Sequence, residues 1–278
     1  MQVPPSFNDV RHALAWARAY APASEARLLL RHALAVSNAW LLAHDDAPLS
    51  PQQTHSYVEL ITKRQAGTPI AYLTGEREFY GRSFHVSPAT LIPRHDTETL
   101  IDQLLNHYAA CPPKNVLDLG TGSGIIAITL ALCWPQSHVS ALDSSLEALE
   151  MAQRNAQNLG ARVSFTHSQW FKAIATQKFE LIVSNPPYIR AADPHLTQGD
   201  LRFEPLSALV AGPSGLDDLT HIITHAPDYL LPGGMLWLEH GYDQAPAVQA
   251  LLNAQHFTQI QTYPDLNGMP RVTCGQMH

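Results

Sequence analysis

Residues 115–132, NVLDLGTGSGIIAITLAL, decide the fold. An apolar run from Asn115 to Leu119 gives way to three alternate glycines, Gly120, Gly122 and Gly124, with Thr121 and Ser123 between them, and then to a helix-like segment from Ile125 to Leu132. Glycines at a strand-to-helix turn permit positive φ and let the backbone come close to a ligand. A dinucleotide fingerprint, G-x-G-x-x-G, requires a small residue at 125, where this chain has Ile125, and that weakens a nicotinamide or flavin reading. Taken alone, such a turn is also an ordinary structural connection, so its meaning depends on what surrounds it.

Around this segment, strand-like and helix-like runs alternate. Strands are expected at 115–119, 138–143, 162–167, 179–185 and 233–241, and helices at Ile125–Leu132, Leu146–Leu159, Asp217–Leu230 and Ala245–His256. This alternation predicts an α/β domain: a parallel sheet covered on both faces, with ligands at the carboxyl ends of its strands. Asp143 closes the second strand, 23 residues beyond Gly120, where a carboxylate can accept both ribose hydroxyls; an aspartate there is also a common helix cap. Strand, glycine loop, helix and second-strand acid together resemble the Rossmann-like class I methyltransferases, which implies S-adenosylmethionine as cofactor.

The most specific tetrapeptide is Asn185-Pro186-Pro187-Tyr188, at the end of the fourth expected strand. Each proline fixes its φ and lacks an N–H, so the chain leaves the sheet as a stiff loop. The Asn185 carboxamide oxygen and the Pro186 carbonyl could both accept from one substrate NH2 group, while the Tyr188 ring packs on its planar π-system. An amide nitrogen is a poor nucleophile, so orientation toward an electrophilic methyl is the main requirement. No residue stands out as a general base. The bland alternative is a simple turn, since Asn-Pro and Pro-Pro are strong turn formers.

Upstream, apolar residues recur at three and four: Val10, Leu14, Ala17; Leu28, Leu29, Leu34; Tyr57, Leu60, Ile61. These predict short amphipathic helices, the last opened by Ser50 as N-cap and Pro51 at the first helical position. Between Glu76 and Pro93, EREFY and SFHVS are broken by Gly81-Arg82, a hairpin signal, and a helix follows with Asp96 as its expected N-cap. The expected organisation is a helical domain over 1–75, a β-hairpin linker over 76–92 and a methyltransferase domain over 93–278.

Composition narrows the classes. The 278 residues carry a net charge of −7, which supplies no broad cationic field for nucleic acid or anionic lipid. Cys111, Cys133 and Cys274 form no disulfide framework or thiolate metal site. His221 and His225 have metal-compatible spacing but no third ligand, and a solvated helix face is the better expectation. With no signal sequence and no apolar run approaching ~20 residues, a cytoplasmic protein without a membrane partner is expected.

The runs ATLIPRHDTETL, DLGTGSG, RNAQNLG, VSNPPYI, DPHLTQGDLRFEPLSALVAG and LEHGYDQ resemble the release-factor glutamine methyltransferase family over nearly the whole chain. The resemblance implies a small helical N-terminal domain, a hairpin linker and a seven-stranded catalytic domain. It implies methylation of the side-chain amide of glutamine in the Gly-Gly-Gln motif of class I peptide chain release factors. It places cofactor contacts at Gly120, Thr121, Gly122, Ser123, Gly124, Asp143, Trp170 and Asn185, and substrate contacts at Asn185, Pro186, Pro187 and Tyr188. It also puts Glu204-Pro205 in a loop lining the substrate cleft. Departures from the family pattern are Gln169 where an acid is common, His95 where a proline is usual, and Gly268-Met269-Pro270-Arg271 in place of G-x-D-R. Arg94 and Glu98 form either a surface ion pair or part of the site. Two rival functions use the same features: methylation of the adenine amino group in nucleic acid, which requires base flipping and phosphate contacts, and a non-catalytic S-adenosylmethionine-binding module.

Overall fold

The computed structural model describes residues 7–278. The chain divides into two compact units, a helical one running to Glu76 that also takes in Thr197–Phe203, and a larger one made of Arg77–Leu196 and Glu204–His278.

In the helical unit, α1 (Val10–Ala17), α2 (Ala23–Leu34), α3 (Asn38–Ala43), α4 (Pro51–Gln65) and α5 (Ile70–Thr74) enclose a small core of Val10, Ala13, Leu29, Leu30, Tyr57 and Ile61. Ser50 caps α4 as expected: its hydroxyl accepts from Gln53 N–H while the Gln53 side chain accepts from Ser50 N–H, with Pro51 first in the helix, which satisfies donors the helix itself cannot. The buried Tyr57 hydroxyl donates to Ala26 O at 3.0 Å. Arg64 holds Glu25 through two bonds, 2.7 and 2.9 Å, and reaches Asp200 of the returning segment at 3.4 Å. Helices α3 and α5 escape the periodicity reading because six and five residues are too few to display a 3.6-residue repeat.

The larger unit opens with the hairpin β1 (Glu76–Phe79) and β2 (Arg82–His85). Its two-residue loop, Tyr80 and Gly81, has φ of 50° and 72°, the paired left-handed conformation whose twist suits a tight hairpin. Phe79 and Phe84 are buried in this unit's core. Next, α6 runs Asp96–His107. Asp96 is its first residue and not its N-cap; His95 holds that position without a side-chain cap bond, and the Asp96 carboxylate lies 3.4 Å from Arg271, which removes it from the capping role.

There follow β3 (Asn115–Leu119), α7 (Ile125–Cys133), β4 (His138–Asp143), α8 (Leu146–Leu159), β5 (Val163–His167), β6 (Phe179–Ser184), α9 (Asp217–His225), β7 (Leu230–Glu239), α10 (Ala245–Ala254), β8 (Thr258–Pro264) and β9 (Pro270–Gln276). The seven strands lie in the order β5-β4-β3-β6-β7-β9-β8. Pairing is parallel from β5 through β7, and β9 is antiparallel to both its neighbours. Side chains alternate across the sheet: Val116, Leu181, Val183 and Trp237 pack with α6 and α7, whereas Leu117, Leu119, Ile182, Leu236 and Leu238 pack with α9 and α10. Helix α9 ends at His225, short of the expected Leu230, because Pro227 follows in a single 3-10 turn.

Helix α7 is apolar around its whole circumference and buried from Ile125 to Ala131. Gly124 precedes it at φ 85°, and a Cβ there would lie 2.7 Å from Ile128 Cδ1 and 3.1 Å from Ala152 Cβ. Gly160, at φ 70°, has open space around it. Gly124→Ala is therefore expected to destabilise the protein by about 1–3 kcal/mol and by more than Gly160→Ala, measured by urea denaturation.

Candidate active site

Strands β3 and β6 are parallel neighbours, with Leu119 opposite Ser184, and the Ser184 hydroxyl donates to Leu119 O at 2.6 Å. The glycine loop and the Asn-Pro-Pro-Tyr loop therefore leave the sheet side by side, at the strand ends where α/β proteins bind ligands.

The glycine loop is held by its own backbone and two acids. Gly120 and Thr121 N–H both donate to Leu142 O at 2.9 Å. Gly122 N–H donates to Asp143 Oδ2 at 2.8 Å and Ser145 N–H to Asp143 Oδ1 at 2.9 Å. Gly120, Gly122 and Gly124 all have positive φ. Beneath the loop, Asp118 Oδ2 accepts from the Thr121 hydroxyl at 2.7 Å and from Ala127 N–H at 3.2 Å. Burial pushes this carboxyl up to about 7, against those two bonds, which favour the ionised form. The sequence reading passed over Asp118, although an acid in an otherwise apolar strand was a signal.

A cavity of about 260 Å³ opens over this loop. Of the residues expected at the site, Gly120, Thr121, Gly122, Ser123, Asp143, Trp170, Asn185 and Pro187 line it. Gly124, Pro186 and Tyr188 do not; Gly124 serves the contact between α7 and α8 described above. Trp170 adopts φ 48°, and its ring packs over Gly120, where a Cβ would meet it at an ordinary contact distance of 3.5 Å; it is the φ of 71° that favours glycine there. Gln169 also lines the cavity, and its amide oxygen already accepts from Lys172 Nζ at 2.6 Å. Further lining comes from Thr90, Ser168, Ser207 and Asp218; Thr90 and Ser207 fall in the quoted runs 89–100 and 193–212, but none of the four is among the expected site residues. The half-buried Asp218 carboxyl is raised by desolvation and Asp217 while accepting a bond from Trp170. His221 and His225 have ring centroids 4.3 Å apart beside Trp170, and among the described residues no cluster of three metal-ligating side chains occurs.

The Asn-Pro-Pro-Tyr loop is clamped from behind. Asn185 Nδ2 donates to Thr97 Oγ1 at 3.2 Å, the Tyr188 hydroxyl donates to Glu239 Oε1 at 3.3 Å, and Gln244 Nε2 donates to Tyr188 O at 3.0 Å. Ile189 N–H donates to Leu209 O at 2.8 Å. Burial pushes the Glu239 carboxyl up to about 7, offset by the Thr97 hydroxyl, Arg271 and Tyr188, and burial likewise raises the Tyr188 phenol. Arg94 does not pair with Glu98. It precedes the helix, so four-residue spacing brings no contact; it pairs with the fully buried carboxylate of Glu204, which also accepts from Ile92 N–H at 2.9 Å. Glu98 accepts from Tyr80 N–H at 3.0 Å. Arg271, in the departing C-terminal motif, finds its acid at Asp265, 3.2 Å away.

Residues 7–75 match the family described as PrmC N-terminal domain and residues 95–199 the methyltransferase small domain. A release factor glutamine methyltransferase from Bordetella pertussis is 48% identical over 257 residues, covering 92% of this chain and 95% of that one. The chain belongs to the release factor glutamine methyltransferase family. The Escherichia coli K12 member is 44% identical, covering 92% of this chain and 93% of its own. Among solved structures, a methyltransferase from Pyrococcus furiosus superposes with a TM-score of 0.54 at 17% identity, covering 71% of this chain and 90% of that one; it shows the methyltransferase fold. Among the described residues of this family member, no helix is long and apolar enough to cross a membrane.

The folded-state pKa of Asp118 lies above the 3.8 of an exposed aspartate. Its contribution to stability is therefore fully present below about pH 4 and lost as pH rises toward 7. Asp118→Asn is expected to flatten the fall in unfolding free energy between about pH 4 and pH 7 relative to the native protein, measured by denaturant titration at each pH.

Proposed function

We propose that this chain transfers the methyl group of S-adenosylmethionine to the side-chain amide nitrogen of the glutamine in the Gly-Gly-Gln motif of class I release factors, in the cytoplasm, with a protein and not a nucleic acid as its partner. The observation that carries the reading is that Asn185 and Pro187 line the same cavity as Gly120, Gly122 and Asp143.

The donor set suits the cofactor. After accepting from Gly122 and Ser145, each Asp143 oxygen retains a lone pair for one ribose hydroxyl. Trp170 and Asp218 supply a flat apolar face and an acceptor to the same cavity, which suit the adenine, and the positive-φ glycines bring backbone against the methionine portion. When bound, S-adenosylmethionine supplies an electrophilic sulfonium methyl. Asn185 Oδ1 and the Pro186 carbonyl accept the two hydrogens of the substrate amide and aim its nitrogen into the cavity; their fixed placement favours pyramidal geometry at that nitrogen. Tyr188, held by Glu239 and Gln244, stiffens the loop and offers its ring to the amide plane.

Purified protein is expected to pass labelled methyl to a release factor with its glutamine intact and not to one with that glutamine replaced; transfer to DNA or RNA instead would overturn the reading. Asn185→Ala is expected to lower kcat by roughly 10²–10³-fold while calorimetric cofactor affinity changes little. Asp143→Ala is expected to show the reverse pattern, with cofactor binding weakened about ten- to a hundredfold.

A further inference from the structure

The peptide plane between Tyr188 and Ile189 is held on both of its edges: its carbonyl accepts from Gln244 Nε2 at 3.0 Å, and its N–H donates to Leu209 O at 2.8 Å. Upstream, Ser184 is fixed in β6, and Pro186 and Pro187 each carry a locked φ. Few torsions are left between these two anchors, so the seat of the Tyr188 carbonyl governs where Asn185 and the Pro186 carbonyl point. The Tyr188 ring is held separately, through its hydroxyl on Glu239. Gln244, just before α10, is buried, and its side chain does not cap that helix. Its Oε1 accepts from Gly241 N–H at 2.8 Å, and its Nε2 donates to Tyr188 O and, at 3.1 Å, to Gly215 O. Every partner is a backbone group whose role as donor or acceptor is fixed, so the carboxamide has one productive orientation.

We infer that Gln244, with Gly215 beside it, is a positioning residue for methyl transfer: it seats the Tyr188 carbonyl and thereby sets the aim of the Asn-Pro-Pro-Tyr loop. Neither residue lines the cavity, so neither can touch the cofactor held there. Gly215 shows how closely the seat is built. It has φ 76°, and a Cβ there would lie 2.5 Å from Tyr188 O and 3.0 Å from Gln244 Nε2, so any side chain at 215 would push the carbonyl off its donor. Without Nε2, the Tyr188 and Gly215 carbonyls lose a shared donor, and the peptide plane turns to find another. The loop moves with it, because the two prolines transmit the turn instead of absorbing it. Orientation is what a poorly nucleophilic amide requires, and a misplacement of about 1 Å from a change outside the reacting groups can cost roughly a hundredfold in rate.

The inference rests on the proposed role of Asn185 and Pro186 in receiving the substrate amide, and two variants remove the seat by different means. Gln244→Met keeps the length of the side chain and removes its donor; Gly215→Ala keeps the donor and crowds the carbonyl. With the wild-type protein active on a release factor, kcat of each is expected to fall about ten- to a hundredfold, with the calorimetric cofactor Kd and the release-factor KM within about threefold. Gln249→Met serves as the control on the same helix: it removes a bond of 2.8 Å to Thr262 Oγ1 and is expected to leave kcat unchanged. All three variants are expected to remain folded by circular dichroism. Undiminished kcat in Gln244→Met, an equal loss in Gln249→Met, or a kcat loss matched by equal loss of cofactor affinity would overturn the inference alone. A wild-type protein inactive on release factors would overturn the proposed function and this inference with it.

Discussion

The pairing of Leu119 with Ser184 in adjacent parallel strands is the constraint on which the site depends. Register in a sheet is discrete: a slip of one residue turns every side chain to the opposite face. Here it would exchange the buried row of Leu117 and Leu119 with that of Val116 and Asp118. Because both faces of these strands are buried and apolar, it is the polar Asp118 and the Ser184 hydroxyl on Leu119 O that mark the register and hence where both loops begin. The glycine loop and the Asn-Pro-Pro-Tyr loop, 65 residues apart in sequence, become neighbours because the strands that carry them pair with Leu119 opposite Ser184.

Rigidity at the loops comes from polar groups buried at a cost. Asp118 under the glycine turn and Glu239 behind the acceptor loop are both enclosed, and each keeps one oxygen without a hydrogen-bond partner. Burial of that kind works against stability; what it supplies here is orientation, since Asp118 draws the Thr121 hydroxyl and Glu239 the Tyr188 hydroxyl, each into a single direction. Backbone strain follows the same distribution, with Trp170 joining the loop glycines at positive φ on the cavity wall.

Much of this was legible in the sequence, for reasons that can be named. Strands β3, β4 and β6 are continuous apolar runs because both their faces are covered, and the motifs after them contain glycines and prolines whose backbone preferences are local. Strands β8 and β9 were illegible as strands. Gln259 and Gln261 alternate with half-buried residues on an edge strand, β8, and Gly275 packs against Phe257 in β9, so neither carries a strong apolar signal. The seven-strand count came from family resemblance. The pairings of Arg94 with Glu204 and of Asn185 with Thr97 span 110 and 88 residues, and spacing rules reach only one helical turn. Asp96 shows the converse: a residue with the right local chemistry for a cap, drawn instead toward Arg271. Segment 197–203, which packs within the helical unit, lacks any compositional boundary that would announce it.

Helix α7, buried on every side, also bears on how the molecule is made. A helix with no polar face has no stable solvated form, and its covering strands β4 and β5 end only at Asp143 and His167. During synthesis at about 5–20 residues per second, Ile125–Cys133 must wait for seconds with its apolar surface uncovered. The segment that carries the glycine loop thus becomes a helix only as its sheet closes over it.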